Sequence, residues 1–210
     1  SLGIRSFIRT ADFAAGGGYA VYEQSVSGFS HLFLHDLTSA PKTEGQFTSG
    51  NDGDSHDPAL SANGARIVFS SSGSNVVPGD TNGKRDVFVF DRQHRTIDRV
   101  SVAQAGTEGN GDATAPKSLG ADGRFVAFTS LASNLVPGDT NSRSDVFVFD
   151  RTSLKKTRFT TSGISMPVSS MSTEMAMCGA LFFCEKSSIR LCAYSGWKVI
   201  VRANFPARLG

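Results

Sequence analysis

Cysteine, methionine and tryptophan are missing from the first 159 of the 210 residues. Without cysteine, that stretch has no disulfide and no thiolate metal site, which excludes zinc modules of the Cys-x-x-Cys kind there. Charge of one sign is lacking too: 21 Lys and Arg stand against 19 Asp and Glu. A balance of +2 gives no field of the size that gathers nucleic acid or an anionic membrane. The longest apolar run, Met175 to Cys184, is ten residues, about half of what a helical bilayer span needs. Reaction signatures are absent as well. There is no Gly-x-Ser-x-Gly, no His-Glu-x-x-His, no Gly-x-x-x-x-Gly-Lys, and no Gly-x-Gly-x-x-Gly opening a helix. The chain itself is therefore expected not to be an enzyme. With 39% hydrophobic residues and 22 Gly it is long enough for a buried core, and it is neither disordered nor collagen-like.

What is present is unevenly spread. All three cysteines (Cys178, Cys184, Cys192), all four methionines and Trp197 lie beyond residue 165. Residues 1–159 hold 16 basic and 17 acidic side chains, net −1, whereas 160–210 hold 5 and 2, net +3. Two kinds of sequence join near Thr160. An out-of-frame or mis-joined tail would produce this break; the rival expectation is a separate small element with strands over 178–183 and 197–201. No methionine precedes Met166, so the expectation for Ser1 is the start of a processed product or an excised fragment.

A repeat dominates the first part. Gly64 to Arg92 matches Gly123 to Arg151 at a constant offset of 59, with 18 of 29 positions identical. The shared text is Ser74-Asn75-x-Val77-Pro78-Gly79-Asp80-Thr81-Asn82 and Asp86-Val87-Phe88-Val89-Phe90-Asp91-Arg92, repeated over 133–141 and 145–151. A worn copy precedes them, with Gly17 to Tyr22 standing for Gly64 to Phe69 and His31 to Asp36 for Asp86 to Asp91. It lacks the Pro-Gly-Asp-Thr-Asn insertion.

Within a unit the periodicity is that of strands. Runs at 58–61, 66–71, 86–91 and 97–102 predict four of them. Asn63-Gly64 and Asp122-Gly123 read as two-residue hairpin turns. In Asp86–Asp91 the phenylalanines share one face and the valines the other, so the strand is expected to lie between two further sheets. Four antiparallel strands per repeat, apolar on both faces, describe a propeller blade; a solenoid is the weaker alternative.

The strings Pro58-Ala-Leu-Ser-Ala-Asn-Gly64-Ala-Arg-Ile-Val-Phe69 and Ala121-Asp-Gly123-Arg-Phe-Val-Ala-Phe128, with the two Asp-Val-Phe-Val-Phe-Asp strands, resemble the TolB-type, WD-like β-propeller repeat. The resemblance covers about residues 13–161. It implies an all-β fold: about three four-stranded antiparallel blades of an incomplete propeller, with a divergent C-terminal tail. The expected divisions are 1–50 (a degenerate first blade), 51–108, 109–161, and a non-repeat tail at 162–210. Three blades are fewer than the four to eight that close a propeller, so more blades or oligomerisation are expected. The resemblance also implies an exported bacterial protein, periplasmic or extracellular. One departure stands out: Pro116 to Gly123 is one residue longer than Pro58 to Gly64, which predicts a bulge or a shifted turn.

The best constellation for chemistry is Asp80-Thr-Asn82-Gly-Lys-Arg-Asp86, recurring as Asp139-Thr-Asn141-Ser-Arg-Ser-Asp145. Oxygen side chains at positions one, three and seven match the opening of a calcium loop. Asp80, Asn82, Asp86, Asp139, Asn141 and Asp145 are therefore the candidate metal ligands, with calcium the candidate cofactor. Against this, Lys84 and Arg85 add positive charge and Gly83 falls at position four rather than six. The alternative is that Asp80 and Asn82 make Asx turns and Asp86 caps the start of a strand. The acidic cluster Asn51 to Asp57 reads as a solvated inter-blade loop. His31 and His35 share one face of a strand, about 13 Å apart, too far to share a zinc ion. The cysteines show no zinc spacing; a Cys184–Cys192 disulfide would fit an exported chain.

Three functional expectations follow. The first is a non-catalytic binding or scaffold module that meets a protein or cell-envelope partner through inter-blade loops, with no nucleic acid and no membrane span. The second is the propeller part of a secreted hydrolase or peptidase. The third is a calcium-stabilised surface adhesion module.

Overall fold

Alternation of large apolar residues on both faces is what makes Asp86–Asp91 a central strand, since each face can then be dried by a different neighbour. The computed structural model describes residues 8–40, 43–115, 119–159 and two two-residue strands near 184–189. The chain divides into two units, Ser1–Phe159 and Thr160–Gly210. In the first, twelve strands form three antiparallel sheets, each a four-stranded meander. The first sheet is β1 (Ile8–Phe13), β2 (Tyr19–Val26), β3 (Phe29–Asp36) and β4 (Thr43–Gln46). The second is β5 (Ser55–Leu60), β6 (Arg66–Ser71), β7 (Asp86–Asp91) and β8 (Thr96–Arg99). The third is β9 (Ala113–Thr114), β10 (Phe125–Ser130), β11 (Asp145–Asp150) and β12 (Lys155–Phe159). In the second unit β13 (Cys184–Glu185) pairs with β14 (Ser188–Ile189). The strands expected at 178–183 and 197–201, and the Cys184–Cys192 disulfide, lie outside the described residues.

The core sits between the sheets. Val21 and Leu32 of the first sheet pack with Ile67, Phe69, Phe88 and Phe90 of the second. The opposite face of the second sheet, Val68, Val87 and Val89, packs with Val126, Phe128, Phe147 and Phe149 of the third. Each junction thus joins an aliphatic face to a phenylalanine face. Offset stacking repeats with it: Phe69–Phe88 and Phe128–Phe147 both have ring centroids 5.5 Å apart, a geometry that suits aromatic quadrupoles. One repeat with single strands per turn, as in a solenoid, does not fit these four-stranded sheets.

One local expectation is corrected and one choice between two is resolved. Asn63-Gly64 is not a two-residue turn: the Ser61 N–H donates to the Arg66 carbonyl at 2.9 Å, which leaves four residues in the loop. Only Gly64 has positive φ there (66°), and Gly123 repeats it (72°), because a type I turn followed by one left-handed residue closes the hairpin. The longer third copy keeps the same turn, with the Gly120 N–H donating to Phe125 O at 2.8 Å. Of the expected bulge or shifted turn it is the bulge that is found: the register shifts in the first strand, between the Thr129–Thr114 pair and the Leu119–Val126 bridge. The second sheet carries a smaller irregularity at the same place, between His56 and Ala59, with Asp57 at φ 54°.

Candidate functional site

The insertion that follows β6 folds its polar side chains inward, onto an arginine from β8. Arg99 lies opposite Phe88 in the register of β7 and β8. Its Nη1 stands 2.9 Å from Asp80 Oδ1, 3.1 Å from Asp86 Oδ2 and 2.8 Å from Glu108 Oε1, while Nη2 donates to the Gly79 carbonyl. Asn82 Nδ2 donates to Asp86 Oδ2 and to the Gly109 carbonyl, both at 3.0 Å. The Ser101 hydroxyl donates to the other Asp86 oxygen. Glu108 belongs to the segment leading into the third sheet, and Thr81 donates to it through both N–H (2.7 Å) and hydroxyl (2.6 Å). Those Thr81 bonds, and then the Arg99 guanidinium, hold the Glu108 carboxyl down to about 2. Burial pushes Asp80 upward, with the Arg99 charge opposing it.

The third repeat builds the same latch. Arg158 Nη1 contacts Asp139 and stands 3.3 Å from Asp145 Oδ2, and Nη2 donates to the Gly138 carbonyl. Asn141 Nδ2 donates to both Asp145 oxygens at 3.0 Å. The six residues expected to ligate metal are thus gathered as two sets of three, and each set holds a guanidinium among its carboxylates. A calcium ion at this place would have to displace the arginine. Among the described residues no group of three or more His, Cys, Asp or Glu is arranged to hold a metal ion.

The turn chemistry is split between the residues. Asn82 and Asn141 do make Asx turns, accepting from the N–H of Lys84 (2.8 Å) and Arg143 (2.9 Å). Asp80 instead pairs with Arg99, and Asp86 is fully buried in the ion-pair network rather than capping a strand in solvent. Sequence reasoning missed Arg99 and Arg158 because they lie outside the matched block. Their own spacing of 59 was the available signal.

The expected solvated loop at 51–57 is also corrected, since it clamps one sheet to the next. Asp54 Oδ1 accepts the Ser30 N–H of the first sheet at 2.7 Å, and Asp112 Oδ1 accepts the Arg85 N–H of the second at 2.9 Å. His56 Nδ1 lies 3.0 Å from the buried Glu23 of β2. Gly53 and Gly111 let each of these segments lie against the end of its own blade: a Cβ would fall 2.4 Å from the Gly73 nitrogen and 2.7 Å from the Ala132 nitrogen respectively. His31 and His35 do share one face of β3, opposite Gln24 and Ala20.

At the other end of the strands, a cleft is lined by Arg66, Arg124, Arg151, Asp122 and Thr152. Each guanidinium faces a carboxylate: Arg66 with Asp91 at 3.0 Å, Arg124 with Asp150 at 2.8 Å, Arg151 with Asp98 at 3.3 Å.

No family model and no curated protein matches this sequence. Solved structures do. TolB from Acinetobacter baumannii superposes with a TM-score of 0.52 at 21% identity, over 76% of this chain and 33% of that one. A putative TolB from Agrobacterium tumefaciens gives 0.50 at 18% identity, over 74% and 47%. The three sheets are β-propeller blades. The tricorn protease also superposes, at 20% identity over 68% of this chain and 13% of that one, but its TM-score of 0.48 is too low to bear on chemistry. The chain spans a third to about half the length of the TolB structures it resembles. Within the propeller frame, the latches lie on the edge where β7 and β11 begin, and the arginine cleft on the edge where they end. Three four-stranded blades leave the propeller unclosed. No helix among the described residues is long and apolar enough to cross a membrane.

Proposed function

We propose that this chain is a non-catalytic binding or scaffold module of an exported protein, and that the two Pro-Gly-Asp-Thr-Asn loops are its contact surface for a protein or cell-envelope partner. One observation carries the reading: each loop is anchored from within by an arginine latch, while its outer residues Lys84, Arg85, Ser142 and Arg143 are exposed. Rigid loops lose little entropy on binding. The three cations, Lys84, Arg85 and Arg143, favour an acidic partner and would speed its encounter. The carboxylates that chemistry would draw on are instead engaged in holding blades together, which supports binding over turnover. An envelope location accords with the TolB likeness.

The test is capture from a detergent-solubilised bacterial envelope extract, with immobilised wild-type chain compared with a Lys84→Glu, Arg85→Glu, Arg143→Glu variant. The expected result is a specific protein retained by the first and reduced at least about tenfold on the second, with thermal midpoints unchanged. Equal retention on both would overturn the loops as the contact surface. Peptidase or esterase turnover by the purified chain would overturn the non-catalytic reading.

A further inference from the structure

The edge opposite the latches carries a cleft that one difference between the repeats opens. At the first–second junction Arg92 closes this edge: its guanidinium lies 4.0 Å over the Tyr19 ring, and its Nε donates to the Gly64 carbonyl at 2.9 Å. Tyr19 begins β2 opposite Asp36, and Arg66 begins β6 in the same place opposite Asp91. The second–third junction therefore has an arginine where the first–second has a tyrosine. Arg66 is held by Asp91, Nη2 to Oδ2 at 3.0 Å, and its stem lies against Gly123, whose Cβ would fall 2.8 Å from Arg66 Cδ. Arg151, the counterpart of Arg92 at the offset of 59, thus meets a like charge instead of a ring. Its Nη2 turns to Asp98 at 3.3 Å, and among the described residues no bond joins Arg151 to the Gly123 carbonyl. What remains is an open volume of about 460 Å³, lined by Arg66, Asp122, Gly123, Arg124, Arg151 and Thr152. Arg66 Nε is a buried donor with no acceptor among the described residues.

We infer that this cleft binds a short neutral saccharide through its hydroxyl groups. The lining excludes the other classes of ligand. None of its side chains is hydrophobic, so an apolar ligand would gain little from burial there. The three arginines are matched by Asp91, Asp150 and Asp98, and Asp122 adds a fourth carboxylate. An anion therefore meets no excess of positive charge, and a cation would have to displace a tethered guanidinium from its carboxylate. The pairing leaves a fixed array of strong donors and acceptors with no net pull on an ion. A hydroxyl both donates and accepts, so neighbouring hydroxyls of one sugar take N–H groups of Arg66 and Arg151 on one side and the Gly123 carbonyl or Asp122 on the other. Hydrogen bonds to ionised partners of this kind are the stronger ones. The volume lies in the range of small-molecule pockets. Because the cleft and the Pro-Gly-Asp-Thr-Asn loops lie on opposite edges of the blades, the site is independent of the contact surface proposed above.

The probes are maltotriose, triacetylchitotriose and mannotriose, each titrated to tens of millimolar into the full-length chain while arginine Nε–H signals and backbone amides are followed by NMR, with inorganic phosphate as the charged comparison. The expected result is saturable movement of the Arg66 and Arg151 Nε–H signals with at least one saccharide, and weaker binding of phosphate. Arg66→Tyr writes the tyrosine of the first–second junction into the second–third, so Arg151 should close over the ring and fill the cleft. That variant should keep the thermal midpoint of the parent chain and bind the saccharide about tenfold or more weaker, as expected for the loss of a hydrogen bond to a charged group. Arg151→Gln, which gives up only the pair with the exposed Asp98, is the second variant and should weaken the same saccharide severalfold. No saturable movement with any of the three saccharides, undiminished binding by Arg66→Tyr and Arg151→Gln, or tighter binding of phosphate than of every saccharide overturns the inference. The Lys84→Glu, Arg85→Glu, Arg143→Glu variant should bind the saccharide as the parent does, so the cleft and the loop surface fail or stand separately.

Discussion

Arg99 and Arg158 are the same residue of the same repeat, yet they sit in different surroundings. The Arg99 side chain is 9% exposed and meets three carboxylates, one of them from the next blade; the Arg158 side chain is 19% exposed and meets two. Each blade encodes its acceptors and its arginine, but the third acid arrives with the blade that follows. Among the described residues the latch is complete only at the second–third junction. This makes it a junction sensor in energetic terms: a buried ion pair is strong when every lone pair and proton is matched and costly when one partner is missing.

The largest effect should come from removing the internal arginine. Arg99→Met leaves Asp80 and Asp86 buried without a counter-charge and should cost about 3–5 kcal/mol. Arg158→Met, at the less enclosed latch, should cost about half that or less. Urea denaturation of the two variants beside the parent chain checks the ordering; equal losses would break the comparison. Next in size are the leader aspartates. Asp54→Ala and Asp112→Ala each remove a charge-assisted bond to a backbone N–H of the preceding blade, for about 1–3 kcal/mol. Of the two, Asp112→Ala should be felt more by Arg99→Met in a double-mutant cycle, because both act on the second–third junction. Additivity of that pair would mean that latch and leader work separately.

How much of this was legible in the sequence depends on the range of the interaction. Strand order, the valine and phenylalanine faces and the packing of Phe88 and Phe147 follow from period-two alternation within six residues. The positive φ of Gly64 and Gly123 is legible too, although the hairpin length was misread, since Asn-Gly suits both a two-residue turn and a longer loop ending in a left-handed glycine. The latch was half legible. Asp80, Asn82 and Asp86 were singled out as a group, and they are one, but oxygen spacing alone does not reveal whether a metal or a guanidinium lies between them. The counter-charge, Arg99, arrives from the fourth strand, 13 residues beyond Asp86, and a third carboxylate, Glu108, arrives from the next repeat. Likewise Asp54 and His56 looked like solvated loop residues because their partners, Ser30 and Glu23, lie in a different blade.

Calcium separates the two readings of the loops. With Arg99 in place, calcium competes with a tethered cation that never dissociates from the chain. In Arg99→Met the carboxylates of Asp80, Asp86 and Glu108 become available, and a site of the weak class, with Kd of order 10⁻⁴ M, would add about 1 kcal/mol at millimolar calcium. Thermal midpoints with calcium and with chelator should therefore differ more for the variant than for the parent chain. A larger shift in the parent would return the loops to calcium and displace the arginine latch from its role.

The smallest and most local effect concerns acid. Glu108 is held at about 2 in the folded chain against an ordinary value of 4.5, so its bonds to Thr81 and Arg99 stabilise the fold fully above pH 4.5. That contribution fades as the pH falls from 4.5 toward 2, because the unfolded chain takes up the proton first and the folded chain must then give up an ionised carboxylate. Glu108→Gln keeps the shape but removes this linkage, so parent and variant should converge in stability across that window and stay apart above it. The third blade supplies the control. Among the described residues Thr140 lacks such an acid, so Thr140→Val should leave the acid limb of the curve where it was, whereas Thr81→Val should move it toward that of Glu108→Gln. If both threonine variants shift the acid limb alike, the third latch has an acid of its own, and the distinction between the second- and third-blade latches is lost.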